Sequence, residues 1–139
     1  MPVLPSACAI VTGTSSGIGQ AIALKLLNEG WHVHGLDIAP TKITNPSFTS
    51  WELDLTQTNE LANTLDQILF KQSPQVLVHA AGVLRIGSLG SLDMMAGQLM
   101  WQLHVDVATQ LANRVLPVMQ QAGQGRMVMV GSRVSSGIA

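Results

Sequence analysis

The eight residues TGTSSGIG, Thr12 to Gly19, follow a short apolar run and open an amphipathic one. A glycine-rich corner between a strand and a helix can hold a pyrophosphate. The turn is tight, the backbone comes close to the ligand, and the first amides of the helix present unpaired N–H groups and a partial positive charge. Gly13, Gly17 and Gly19 supply the turn and the close approach; Ser15, Ser16 and Ile18 fill the positions between them. Eighteen positions past Gly19 stands Asp37, at the end of the next apolar run. A carboxylate there accepts hydrogen bonds from both hydroxyls of a ribose and repels a 2′-phosphate. No Lys or Arg lies in the glycine loop to attract that phosphate. The pair therefore points to NAD as cofactor, with NADP disfavoured. Two further strand ends complete the set: Asp54 and Leu55 in LDL, and Ala80, Ala81 and Gly82 in HAAG. Both lie where the adenosine half of a dinucleotide should run, and the small Ala80, Ala81 and Gly82 let the backbone approach a flat ligand.

These groups need a scaffold that delivers several strand ends to one side. The periodicity supplies it. Ala7–Gly13, Trp31–Asp37, Phe48–Asp54, the stretch 74–82 and Gly125–Ser132 read as strands. Continuous apolar runs such as ACAIV mark strands buried on both faces, as in a parallel sheet. Helical spacing runs from Gly17 to Gly30, where Ile18, Ile22 and Leu26 form one row and Ala23 and Leu27 another. It recurs over 57–70, through Leu61, Leu65, Ile68 and Leu69, and as one long helix over Ala96–Met119, through Met100, Leu103, Val107, Leu111 and Val115. Alternating strands and helices predict an α/β fold: a Rossmann-like, doubly wound parallel sheet of strand order 3-2-1-4-5, with a ligand over the carboxyl ends at the switch between strands 1 and 4.

Composition narrows the class. The 139 residues make one dinucleotide-binding domain, residues 1–139. Charged residues are 11% of the chain, against roughly a quarter in ordinary soluble domains, so parts of its surface are apolar. A net charge of −1 speaks against nucleic acid or an anionic membrane as partner, and no apolar run reaches the ~18 residues of a membrane span. Cys8 is the single cysteine, so no internal disulfide forms, and with no basic leader at the N-terminus the cytoplasm is the expected compartment. His32 and His34 share a strand face, but no third ligand stands nearby and no metal site is predicted. Trp31, Trp51 and Trp101 read as packing residues.

In combination, TGTSSGIG, an acidic end to strand 2, LDL and HAAG resemble the short-chain dehydrogenase/reductase family over Ala7 to about Gly137. Thr12, Gly13, Gly17 and Gly19 match its Thr-Gly-x-x-x-Gly-x-Gly signature; His79 and Ala80 replace the two Asn of its Asn-Asn-Ala-Gly. The resemblance implies an oxidoreductase that moves a hydride between NAD(H) and an alcohol or ketone. It also implies pairing of subunits through the long helix, as a homodimer or homotetramer. The family's catalytic set is Asn, Ser, Tyr and Lys. Ungapped counting from Leu116–Pro117 puts His104 in the Asn slot, with Asp106 the choice under a two-residue slip, and the same register reaches Ser132. The role implied for Ser132 is to hydrogen-bond the substrate carbonyl. The chain contains no Tyr and ends seven residues after Ser132. The domain is therefore expected to be truncated after strand 5, with the catalytic helix and last strands absent. The competing expectation is a dinucleotide-binding sensor or partner subunit without chemistry of its own.

Overall fold

The computed structural model describes residues 7–82 and 93–131. Five strands form one parallel sheet: β1 (Cys8–Thr12), β2 (His32–Asp37), β3 (Phe48–Glu52), β4 (Val76–His79) and β5 (Arg126–Met129). Their order is β3-β2-β1-β4-β5, the doubly wound arrangement that the alternation of elements implies. The register sets Thr12 beside Leu36 on one side and beside His79 on the other. The last residue of β1 thus stands at the switch point between two outward-running halves.

The helices cover the two faces unequally. On one face, Ile10, Leu36 and Leu77 of the sheet meet Leu61, Leu65 and Ile68 of α2 (Thr58–Lys71) and Val107, Leu111 and Val115 of α4 (Val107–Ala122). On the other, Val11, Val33 and Val78 meet Ala23 and Leu27 of α1 (Gly17–Asn28). Period-2 alternation explains the split: Ile10 and Val11 are neighbours in sequence and lie on opposite faces. Each fully buried Leu or Ile contributes about 1.5–3 kcal/mol, so these two layers hold the sheet in place. Cys8 belongs to the buried centre, and burial pushes its thiol up to about 11, which leaves it inert. On β5, one of the two edge strands among the described residues, Val128 and Met129 are half exposed.

Three sequence expectations change. The long helix is not one α-helix from Ala96 to Met119. It starts earlier, as α3 (Met94–Trp101), where the Asp93 side chain accepts from the Met95 N–H at 2.9 Å, an N-cap bond. It then passes through a π-helical turn (Gln102–Asp106) into α4. The Val107 N–H, which would serve Leu103 in an uninterrupted α-helix, bonds Gln102 O instead. The Leu103 carbonyl takes a side-chain donor, His79 Nε2, at 2.7 Å. Ile18 does not join the apolar row of α1; it is 60% exposed, because the first turn of α1 faces an open cleft rather than the sheet. Trp101 is likewise exposed on the outer side of α3, whereas Trp31 and Trp51 pack against the two cores.

Candidate functional site

The carboxyl ends of β1, β2 and β4 open into a cleft of about 560 Å³. The glycine corner forms its floor: Gly13, Ser15, Ser16, Gly17, Ile18 and Gly19 all line it. Gly13 has φ +77°, and a Cβ there would sit 2.8 Å from the Ala81 nitrogen. Only glycine allows both that backbone angle and the approach of β1 to β4. At Gly19 a Cβ would come 2.1 Å from the Gly13 oxygen, so α1 packs directly on the turn that precedes it. Ser16, at the N-cap of α1, is extended and makes no side-chain cap bond. The first turn of α1, Gly17 to Gly19, thus borders the cleft with no side-chain bond at its N-cap.

Asp37 closes one side. Its carboxylate accepts from the Ser15 N–H at 2.9 Å, the Ser15 hydroxyl at 2.6 Å and the Ala39 N–H at 3.0 Å. Partial burial pushes its pKa up, but these donors together outweigh burial and hold the carboxyl below its usual range. Asp37 is therefore an anion at neutral pH, aimed across the glycine corner. Asp54 and Leu55 form the adjoining wall. Asp54 accepts from the N–H and hydroxyl of Thr56, at 2.9 and 2.6 Å, which fixes the turn after β3. Leu55 is also a core residue, 4% exposed.

Ala80, Ala81 and Gly82 make the opposite wall, and a buried network holds it. The Thr12 oxygen accepts from the N–H groups of Ala80 and Ala81, both at 3.0 Å. With its two lone pairs used, the Thr12 hydroxyl donates to His79 Nδ1 at 2.8 Å. His79 Nε2 then carries the ring proton and donates to the Leu103 carbonyl at 2.7 Å. Burial, with a smaller repulsion from His104, holds His79 below the ordinary histidine range, and the Leu103 bond only partly offsets this.

The two candidates for the Asn slot part company here. A Cβ on Gly82 would meet the His104 ring, 2.1 Å from Cε1, so His104 lies over a residue of the cleft wall. Asp106 accepts from Gln110 Nε2 at 3.0 Å along its own helix. Ser132 lies outside the described residues. Leu53, the first residue of LDL, lines the cleft as well; sequence reasoning missed Ile38, Thr56, Leu99 and Leu103, which also line it. Ile38 and Thr56 adjoin Asp37 and Leu55, so adjacency was the available signal; Leu99 and Leu103 stand four apart on a helix whose apolar positions read as packing surface.

Comparison with known proteins decides the family. A family model described as short chain dehydrogenase matches residues 7–137. The chain belongs to the short chain dehydrogenase family. A short chain dehydrogenase of Emericella variicolor is 32% identical, with 100% of this chain and 60% of that relative covered. Among solved structures, the aldohexose dehydrogenase of Thermoplasma acidophilum, in ligand-free form, superposes with a TM-score of 0.88 at 27% identity, covering 96% of this chain and 52% of the other. A 4-hydroxyisoleucine dehydrogenase complexed with NADH gives a TM-score of 0.81 at 25% identity, covering 96% and 59%. This short chain dehydrogenase sequence spans little more than half the length of the curated relatives it matches. Among the described residues, no helix is long and apolar enough to cross a membrane, and no cluster of three or more His, Cys, Asp or Glu could hold a metal ion.

Proposed function

We propose that the cleft holds a nicotinamide adenine dinucleotide, NAD in preference to NADP, and that the chain is the cofactor-binding part of an oxidoreductase acting on an alcohol or carbonyl substrate. The observation that carries this is the meeting of three features in one cleft: the uncapped start of α1, the anionic Asp37, and a β4 end of Ala80, Ala81 and Gly82 without bulky side chains. Those residues fit the group. The α1 amides suit the pyrophosphate, Asp37 suits the adenosine ribose hydroxyls, and Ile38 and Leu53 offer apolar surface to a base. When bound, the nicotinamide supplies the hydride acceptor or donor. Ser132 would hydrogen-bond the substrate oxygen, and His104 would stand beside the wall at Gly82.

The 139 residues contain no tyrosine. The phenolic acid/base of the family's chemistry is then supplied from outside them, and the chain by itself binds cofactor with little or no turnover. The same observation supports a second reading, a dinucleotide-binding sensor or partner subunit. Met94, Met95, Trp101 and Val105, exposed along α3 and the π-helical turn, favour a homodimer or homotetramer in either case.

Fluorescence titration with NADH and NADPH tests the cofactor proposal. Saturable NADH binding is expected, with NADPH weaker by about tenfold or more, or ~1.4 kcal/mol. Asp37→Ser should close most of that gap by removing the repulsion of the 2′-phosphate. Absence of saturable binding by either dinucleotide would overturn it. Turnover of alcohols with NAD by a longer polypeptide carrying these residues, and none by any such polypeptide, separate the enzyme from the sensor.

A further inference from the structure

We propose that His79 is a positioning residue: its ring tethers the π-helical turn to the floor of the cleft and so sets where His104 stands over Gly82. Two nitrogens on opposite sides of one rigid ring reach two different elements. Nδ1 accepts from Thr12 at the end of β1, and Nε2 donates to the carbonyl of Leu103, the residue before His104. Thr12 in turn orders the amides of Ala80 and Ala81, which lead directly into Gly82. The wall and the side chain lying on it therefore hang from the same imidazole. The helix has adapted to that bond, since the Val107 N–H turns to Gln102 and Leu103 faces the ring. Only one protonation state satisfies the network. A proton on Nδ1 would confront a Thr12 oxygen that already accepts two N–H groups. His79 thus acts through His104 and the wall; it lies beneath the cleft, buried and away from its lining.

The two bonds can be cut separately. His79→Asn keeps an acceptor where Nδ1 stands but is too short to reach Leu103. His79→Gln carries an amide donor about as far out as Nε2 and restores the reach. In isotope-labelled protein, NMR should show the wild-type His79 ring with its proton on Nε2 and a coupling across the hydrogen bond to the Leu103 carbonyl. H79N should shift the His104 ring resonances and weaken NADH binding severalfold; H79Q should return both towards wild type. A proton on Nδ1, no coupling to Leu103, or Asn and Gln variants that affect His104 equally would each overturn the tether. The wild-type spectrum decides even if the variants fail to fold. Only the NADH readout rests on the cleft being a dinucleotide site: a wild-type chain that binds no NADH defeats that proposal, while the His104 resonances still decide this one.

Discussion

Two buried histidines solve the same chemical problem at two places in the sheet. His34, on β2, accepts from the Trp51 indole N–H at 3.0 Å on Nδ1 and bonds the Gln72 side-chain oxygen through Nε2. His79, on β4, accepts from Thr12 on Nδ1 and donates to Leu103 through Nε2. Both are neutral rings with the proton on Nε2, and both link the sheet to a helical element. They differ in what the bonds reach. His34 joins the side chain of β3 to the residue that ends α2, away from the cleft. His79 joins the Thr12 hydroxyl, at the end of β1, to the Leu103 carbonyl, which borders the cleft. An identical buried ring is thus a staple in one place and part of the site's alignment in the other, and only the partners tell them apart.

The sharpest way to break that comparison is to remove each ring. His79→Leu leaves the Thr12 hydroxyl and the Leu103 carbonyl without their partner, and His34→Leu does the same to Trp51 and Gln72. Each should cost about 2–3 kcal/mol in urea unfolding. Only His79→Leu should also abolish most NADH binding; equal loss of binding in both variants would erase the distinction. A smaller effect is expected from Gly82→Ala, whose Cβ would displace the His104 ring. Cofactor affinity should fall severalfold while stability changes by about 1 kcal/mol or less, because His104 is on the surface side of the turn.

Acid provides a third comparison. Burial holds His34 below the usual histidine range, with His32 and Lys71 adding to the effect and the Gln72 bond opposing it; burial holds His79 down as well. The unfolded chain takes up protons near pH 6.5, while the folded rings resist until lower pH. Stability is therefore full above about pH 6.5 and falls as the pH drops below it. Urea midpoints against pH should show that slope in wild type, a shallower slope in either single variant, and the shallowest in the double variant. The smallest effect belongs to Arg114→Ala. Its exposed ion pair with Asp66, between α4 and α2, should contribute about 0.5 kcal/mol or less, and the variant serves as a control for the urea measurements.

Much of this was legible beforehand for a physical reason. Strand order follows from alternating elements and right-handed crossovers, so β3-β2-β1-β4-β5 could be written from periodicity and family resemblance together. Gly13, Asp37, Asp54 and Ala80 to Gly82 were legible because each sits at a strand end or in the glycine corner, where side-chain type directly limits what can approach; Leu99 and Leu103, on the helical segment, were not. The helix that carries His104 was legible as a helix but not as an interrupted one. The π-helical turn answers to a carbonyl bonded by a residue 24 positions earlier, and no local pattern encodes that bond. Ile18 misled for a related reason: its spacing was right for the apolar row of α1, but the first turn of that helix has no sheet beneath it.

The amino-acid sequence by itself determined the parallel sheet, the glycine corner, the acidic end of β2 and membership in the family's pattern, because short-range sterics, hydrophobic period and backbone freedom act on neighbours in the chain. Tertiary structure alone decided that His79, seen in sequence only as a replacement for Asn, is neutral and bonded at both nitrogens. It also decided that the His104 ring lies against Gly82 while Asp106 is bonded by Gln110 along its own helix, and that His34 and His79 take different partners. Those outcomes depend on which groups are brought within about 3 Å across a packed, water-poor interior, where a polar atom must find a partner.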